Sequence, residues 1–213
     1  MIRTSKAGCL HQHQHQAAGL PCLRCRHHFL LQVAFSRLSL RRQRQKHADD
    51  TAWGRSLRAF TSRLYWHCHF IQKLESEPSI EHQTLHPALR GLRERDPEHL
   101  NLIAWKHGQT GVPLVDACMR SLTNTGWINF RMRAMLLSHA TFGLGLHWYE
   151  PALHLARLFT DFEPGIHYPQ VQMQAGATGT NALRVYNPIK QAEDNDPTGE
   201  FIARWVPELS PLP

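Results

Sequence analysis

From Trp53 onward, apolar residues return at the three- and four-residue spacing of helices, and glycines and prolines punctuate the segments. Leu57, Phe60, Leu64, Ile71 and Leu74 predict a helix over 54–75. A polar stretch with Pro78, Pro87 and Pro97 follows, then a short helix over 98–106 and a turn from His107 to Gly111. Pro113 stands at a first helical position, where its missing N–H costs nothing. Leu114, Val115, Cys118, Met119 and Leu122 make one apolar face behind it, and Asn124-Thr125-Gly126 ends that helix. Further helices are expected over 127–138 and 151–159. Residues 160–182, which hold Pro164, Gly165, Pro169, Gly176 and Gly179, read as a loop. Asp196-Pro197 starts a last helix with Glu200 in its first turn, and Pro207 ends it. Hardly any segment alternates as a strand would, so the body reads as an all-α domain with long loops. Residues 1–50 carry no sustained period of either kind.

Composition separates those two parts further. The formal charge is +7 at pH 7. All of that excess lies in residues 1–50, where Arg3, Lys6, Arg24, Arg26, Arg37, Arg41, Arg42, Arg44 and Lys46 face only Asp49 and Asp50. The remainder is formally balanced, so bulk charge is no argument for nucleic-acid binding by the body. Residues 1–50 read as a poorly structured basic segment and residues 51–213 as the folded domain. The Arg-rich, acid-poor start has the charge pattern of a transit peptide but little Ser and no clear amphipathic helix. No apolar core follows it as in a secretory signal. No apolar run approaches the ~20 residues of a membrane span. Five cysteines, an odd and scattered set, argue against a disulfide framework and for a reducing, cytoplasmic location. Cys22-Leu23-Arg24-Cys25 with His27 and His28 has the spacing of half a zinc site, and Cys9 or His15 could complete it. With sixteen histidines in the chain, chance clustering is the preferred reading, and no metal ligands are assigned. Cys68 and Cys118 lie on apolar helices and read as packing thiols.

Three segments stand in order: TGVPLVDACMRSLTNTGWINFRMRA (110–134), FTDFEPGIHYPQVQMQAGATGTN (159–181) and RVYNPIKQAEDNDPTGEFIARWVPEL (184–209). Together with SRLYWHCHFIQKLE (62–75), they resemble the helical FAD-binding domain of the photolyase/cryptochrome family. The resemblance implies an all-α fold, FAD as cofactor, and blue-light-driven electron transfer in DNA photoproduct repair or light signalling. A photolyase-type lyase on damaged DNA is the enzyme reading. It places Phe60, Arg63, His67, Phe70, Phe130, Arg133, Asp161, Phe162, Glu163 and His167 along the cofactor. Arg133 is expected to pair with Asp161 beside the isoalloxazine ring. His167 is expected to face its N5, altering proton chemistry near neutral pH. Arg131, Trp66 and Met173 fall where relatives contact DNA, and Trp66, His167 and Trp148 where they handle electrons.

The departures are as specific as the matches. Phe130 stands where an Asn is usual, Ala134 where relatives have a Met of the lesion pocket, and Met173 where they have the second flanking Trp. Arg63 replaces a Glu. These point away from ordinary pyrimidine-dimer repair. Val171 and Arg95 replace two of three tryptophans in the family's photoreduction chain, leaving Tyr168, Tyr186 and Trp105 as alternative aromatics. Trp105, Trp127 and Trp205 otherwise read as packing residues. The family's phosphate-binding segment is faint here, reduced to Ser36-Arg37-Leu38-Ser39. No antenna domain is recognisable, so the chain reads as incomplete at both ends. Two other readings stand beside this one: a basic zinc- or nucleic-acid-binding module in residues 1–50, and a fragment without cofactor. The sequence sets no oligomeric state.

Overall fold

The helix that opens at Pro113 packs against four others of the folded body. The computed structural model describes residues 38–46, 51–179 and 184–209. It divides into two compact units, one ending at His67 and one beginning at Cys68. The basic segment before residue 38, including Cys22, Cys25, His27 and His28, lies outside the described residues. All regular structure among the described residues is helical.

In the first unit, residues 38–46 form α1, and α2 (Thr51–Ser76) begins. Arg44 Nη2 donates to Thr61 Oγ1 at 2.9 Å, and that hydroxyl donates to the Leu57 carbonyl at 2.6 Å.

In the second unit, α2 ends at Ser76 and two short 3-10 turns follow, Pro78–Glu81 and Pro87–Leu89. Next come α3 (Leu100–Lys106), α4 (Pro113–Thr125) and α5 (Phe130–Ser138), which runs on into a π-turn at His139–Gly143. α6 (Tyr149–Leu158), α7 (Pro164–Gln174), α8 (Pro188–Asn195) and α9 (Glu200–Trp205) complete it. α4 packs against α3, α5, α8 and α9, while α7 packs against α5 and α6. Leu114, Val115, Cys118, Met119 and Leu122 are buried with Trp105, Met135, Leu136 and Leu155 in one core.

Local chemistry explains the boundaries. The Asp116 carboxylate accepts from Thr110 N, Thr110 Oγ1 and Gly111 N, at 2.6–2.9 Å, and so folds the preceding turn back onto α4. Gly126 closes α4 at φ 73°, in the left-handed region that glycine enters without a Cβ penalty. α5 begins at Phe130 rather than at Trp127, because the Asn129 side chain accepts from Met132 N and caps the helix there. The last helix likewise begins later than Asp196-Pro197 suggests. Gly199 is its N-cap, and the Asp196 carboxylate reaches forward to accept from Phe201 N and Ile202 N. α8, with Asn187 as its cap, was not anticipated.

The main correction concerns 160–182, which is not a loop throughout. Pro164 takes the first position of α7, and Pro169 sits inside the helix. An interior proline costs on the order of 3 kcal/mol. That cost is outweighed by burial of Gly165, His167, Tyr168, Pro169, Val171 and Gln172. Gly165 is required by packing: a Cβ there would lie 2.6 Å from Ile71 Cδ1. Gln172, with no exposed surface, ties α7 to the preceding loop. Its Oε1 accepts from Leu85 N at 2.7 Å, and its Nε2 lies 2.9 Å from both the Ile80 and the Gln83 carbonyl oxygens.

Candidate functional site

The start of α5, the 159–163 turn and the buried side of α7 converge. Arg133, one turn into α5, makes a bidentate pair with Asp161: Nη1 to Oδ1 at 3.0 Å and Nη2 to Oδ2 at 2.9 Å. Its Nε donates to the Ile128 carbonyl at 2.8 Å, and its plane lies over the Phe159 ring, 4.1 Å from the centroid. All three nitrogens are therefore engaged, and one face is covered. The Asp161 side chain is 48% exposed against 22% for Arg133. The geometry makes Arg133 the positioning member, and the carboxylate, with lone pairs left over, the accessible acceptor.

His167 is buried on α7. Its ring makes edge contacts with Phe159, Phe162 and Tyr168 at centroid distances of 6.0, 5.3 and 5.2 Å. Its Nε2 lies 2.9 Å from the Ala152 carbonyl oxygen on α6. Burial drives the imidazole down to about 4; the Ala152 carbonyl opposes that shift and the Arg133 charge adds to it. The ring is therefore neutral at pH 7, and it does not titrate in the neutral range expected of it. Phe162 and Glu163 flank this turn, both half-buried.

Phe130 and Arg131 are exposed in the first turn of α5, Phe130 at 60%. Met173 is half-buried near the end of α7, and Ala134 is buried. In the first unit, Phe60, Arg63 and Trp66 follow one another at three-residue steps along α2, and His67 lies four residues after Arg63. Phe60, Arg63 and Trp66 are exposed, and His67 is half-buried. Phe70, further along α2 in the second unit, is buried.

Trp148 is buried away from the pair, at the start of α6. Its Nε1 donates to Thr84 Oγ1 at 2.9 Å, and its ring meets Tyr149 edge-on at 5.5 Å. Arg95 covers the Tyr149 face at 3.7 Å and donates from Nε to Glu150 Oε1 at 2.7 Å. Val171 is buried, as is Trp105, whereas Tyr186 and Trp205 are half-buried. Trp127, expected as a packing residue, is instead 56% exposed, because α5 starts after it and leaves it on the connecting turn. Cys118 is buried and its thiol is pushed up to about 12 by desolvation, which makes it inert; Cys68 is half-buried.

Sequence reasoning overlooked Phe159, whose position two residues before Asp161 was available as a signal. It also overlooked the Ala152 carbonyl, a backbone group that no residue type announces. Among the described residues, no His/Cys/Asp/Glu group could hold a metal ion, and no helix is long and apolar enough to cross a membrane.

Comparison with known proteins bears on the same region. Residues 60–213 match the model of the FAD binding domain of DNA photolyase. A deoxyribodipyrimidine photo-lyase of Streptomyces griseus is 36% identical over 154 residues, covering 71% of this chain and 33% of that protein. A cryptochrome DASH of Gloeobacter violaceus is 38% identical over 129 residues, covering 59% and 25%. The crystal structure of Synechocystis cryptochrome superposes with a TM-score of 0.71 at 25% identity, over 85% of this chain and 37% of that one. An archaeal photolyase from Sulfolobus tokodaii, solved with two FAD molecules, gives 0.67 at 28% identity, over 82% and 39%. The chain spans between a quarter and two fifths of the length of these relatives. With a family match over most of its length, this chain belongs to the photolyase/cryptochrome family, in the part that forms the FAD-binding domain.

Proposed function

We propose that the chain binds FAD through its second unit and supports light-driven one-electron transfer. The observation that carries this reading is the bidentate Arg133–Asp161 pair, held rigid by Ile128 and Phe159 with the carboxylate still accessible. The residues present fit an isoalloxazine ring: a fixed acceptor on Asp161, aromatic walls from Phe159 and Phe162, and a neutral imidazole beside them. FAD, when bound, supplies the light absorption and the electron chemistry. Arg133 holds Asp161 in place, and Asp161 offers its free lone pairs to ring N–H groups. The phenylalanines keep water off one side. On the resemblance alone, Phe60, Arg63 and His67 of the first unit are also proposed to touch the cofactor.

Damaged DNA is the proposed partner, contacted through exposed Trp66 and Arg131. Met173 and Ala134 give poorer stacking than a Trp and less bulk than a Met, which supports an output other than ordinary pyrimidine-dimer repair.

The test is reconstitution. The purified chain is incubated with FAD and desalted, and its absorption spectrum is read before and after blue light with a thiol donor. Stoichiometric flavin is expected, with affinity reduced about tenfold in Asp161→Asn, the size of one charge-assisted hydrogen bond. A folded wild-type chain that emerges colourless refutes the reading.

A further inference from the structure

One surface of the second unit carries apolar side chains that the proposed flavin site leaves unused. Leu100 and Ile103, three residues apart, share one side of α3 and are 80% and 42% exposed. Leu100 is the most exposed large hydrophobic side chain among the described residues, and Leu92, on the segment leading into α3, is 63% exposed. Asn101 Nδ2 donates to the Leu144 carbonyl at 3.5 Å, and the Arg93 guanidinium lies 5.2 Å from the Phe142 ring centroid, which joins this stretch to the turn that follows α5. The backbone that presents these side chains is held in place. The His99 ring caps α3 by accepting from Asn101 N at 3.1 Å, and Asp96 Oδ1 accepts from Glu98 N at 2.9 Å. Burying fixed aliphatic side chains against a partner releases the water around them and loses little chain entropy.

The charges beside that face indicate which partner. Arg93-Glu94-Arg95-Asp96 alternates in sign. Glu94, Arg95 and Asp96 are exposed, and Arg93 is half-buried. Such a run is its own complement when it meets itself antiparallel. About a two-fold axis between residues 94 and 95, Arg93 faces the partner's Asp96 and Glu94 faces the partner's Arg95, so every contact joins opposite charges. A parallel, in-register meeting would set like against like. Arg95 spends its Nε on Glu150 at 2.7 Å, and its side chain is still 49% exposed. The Arg93 guanidinium is already partly desolvated, so a carboxylate beside it gains more than it would in open water. We propose that this face joins two copies of the chain across a two-fold axis, with Leu92, Leu100 and Ile103 as its apolar centre and the run from Arg93 to Asp96 setting the register. The pairing is independent of flavin binding.

Sedimentation equilibrium of the full chain, followed across about 1–100 µM, tests this. A monomer–dimer equilibrium is expected. Leu100→Asp is expected to weaken it at least about tenfold, while the far-ultraviolet circular dichroism and the urea midpoint stay as in wild type. Asp96→Arg and Arg93→Glu each set like charges against each other and are expected to weaken self-association about tenfold. Mixed in equal amounts, the two variants are expected to pair again, because each supplies the charge that the other lacks. A wild-type chain that stays monomeric at about 100 µM overturns the proposal, and that is the outcome if the face serves a different protein. A dimer that Leu100→Asp leaves intact also overturns it, by placing the contact elsewhere. A mixture no tighter than the separate variants overturns the two-fold register.

Discussion

Acid should weaken this fold through His167 in a way that a single substitution isolates. In the unfolded chain the imidazole titrates near 6.5; in the fold, burial holds it near 4. Above 6.5 both states carry a neutral ring, and its titration contributes no pH dependence. As pH falls from 6.5 to about 4, the unfolded chain takes up the proton while the folded chain does not, so stability is lost across that window. Holding the imidazole near 4 rather than 6.5 corresponds to about 3 kcal/mol. The groups facing the ring are the Ala152 carbonyl, which opposes the shift, the Arg133 guanidinium, which adds to it, and the uncharged rings of Phe159, Phe162 and Tyr168. His167→Gln keeps an amide donor near the Nε2 position and cannot titrate. Urea unfolding of both proteins across the window should show the wild type losing about 3 kcal/mol more than the variant. Parallel pH profiles would mean that His167 is not buried and neutral in the native state. His154, also held near 4, titrates in both proteins and cancels in the comparison.

Two further substitutions probe the frame. Gln172→Leu leaves Leu85 N and the Ile80 and Gln83 carbonyls without their partner, and it is expected to cost about 2–4 kcal/mol in urea unfolding; a loss under about 1 kcal/mol would refute the bridging role. Gly126→Ala forces an alanine to φ 73° with its Cβ 2.5 Å from Thr160 Cγ2, and should cost more than about 1 kcal/mol. Adding Thr160→Ser, which removes that methyl, should recover the steric part, and no recovery would show the contact to be irrelevant.

What could be read from the sequence follows from how local each signal was. α4 was legible because its start, face and stop are all encoded in adjacent residues, from Pro113 through the Leu114–Leu122 face to Gly126. α7 was not, since Pro164, Gly165 and Pro169 are individually loop signals. The helix exists because its buried side and the Gln172 bridge outweigh a broken hydrogen-bond ladder. The start of α5 slipped by three residues because an Asn cap outranks the apolar period. The Arg133–Asp161 pair came from resemblance alone. The two residues are 28 apart, and no spacing rule joins them. The neutral state of His167 was not legible, because protonation is set by the packing of α6 and the phenylalanines around it, none of which is adjacent in sequence.

These elements give the site a mixed polarity. Arg133 spends three of its five N–H groups on Ile128 and Asp161, so its charge is compensated by that carboxylate while two N–H groups remain. The groups left to meet a ligand include those N–H groups and the free lone pairs of Asp161, whose side chain is the more exposed of the pair. A ligand that suits them has a flat apolar body for the Phe159 and Phe162 walls and N–H and carbonyl groups along its edge. The same burial that makes His167 a liability at low pH is what keeps it neutral at pH 7. Any substitution that lets water reach the ring should therefore relax the acid sensitivity.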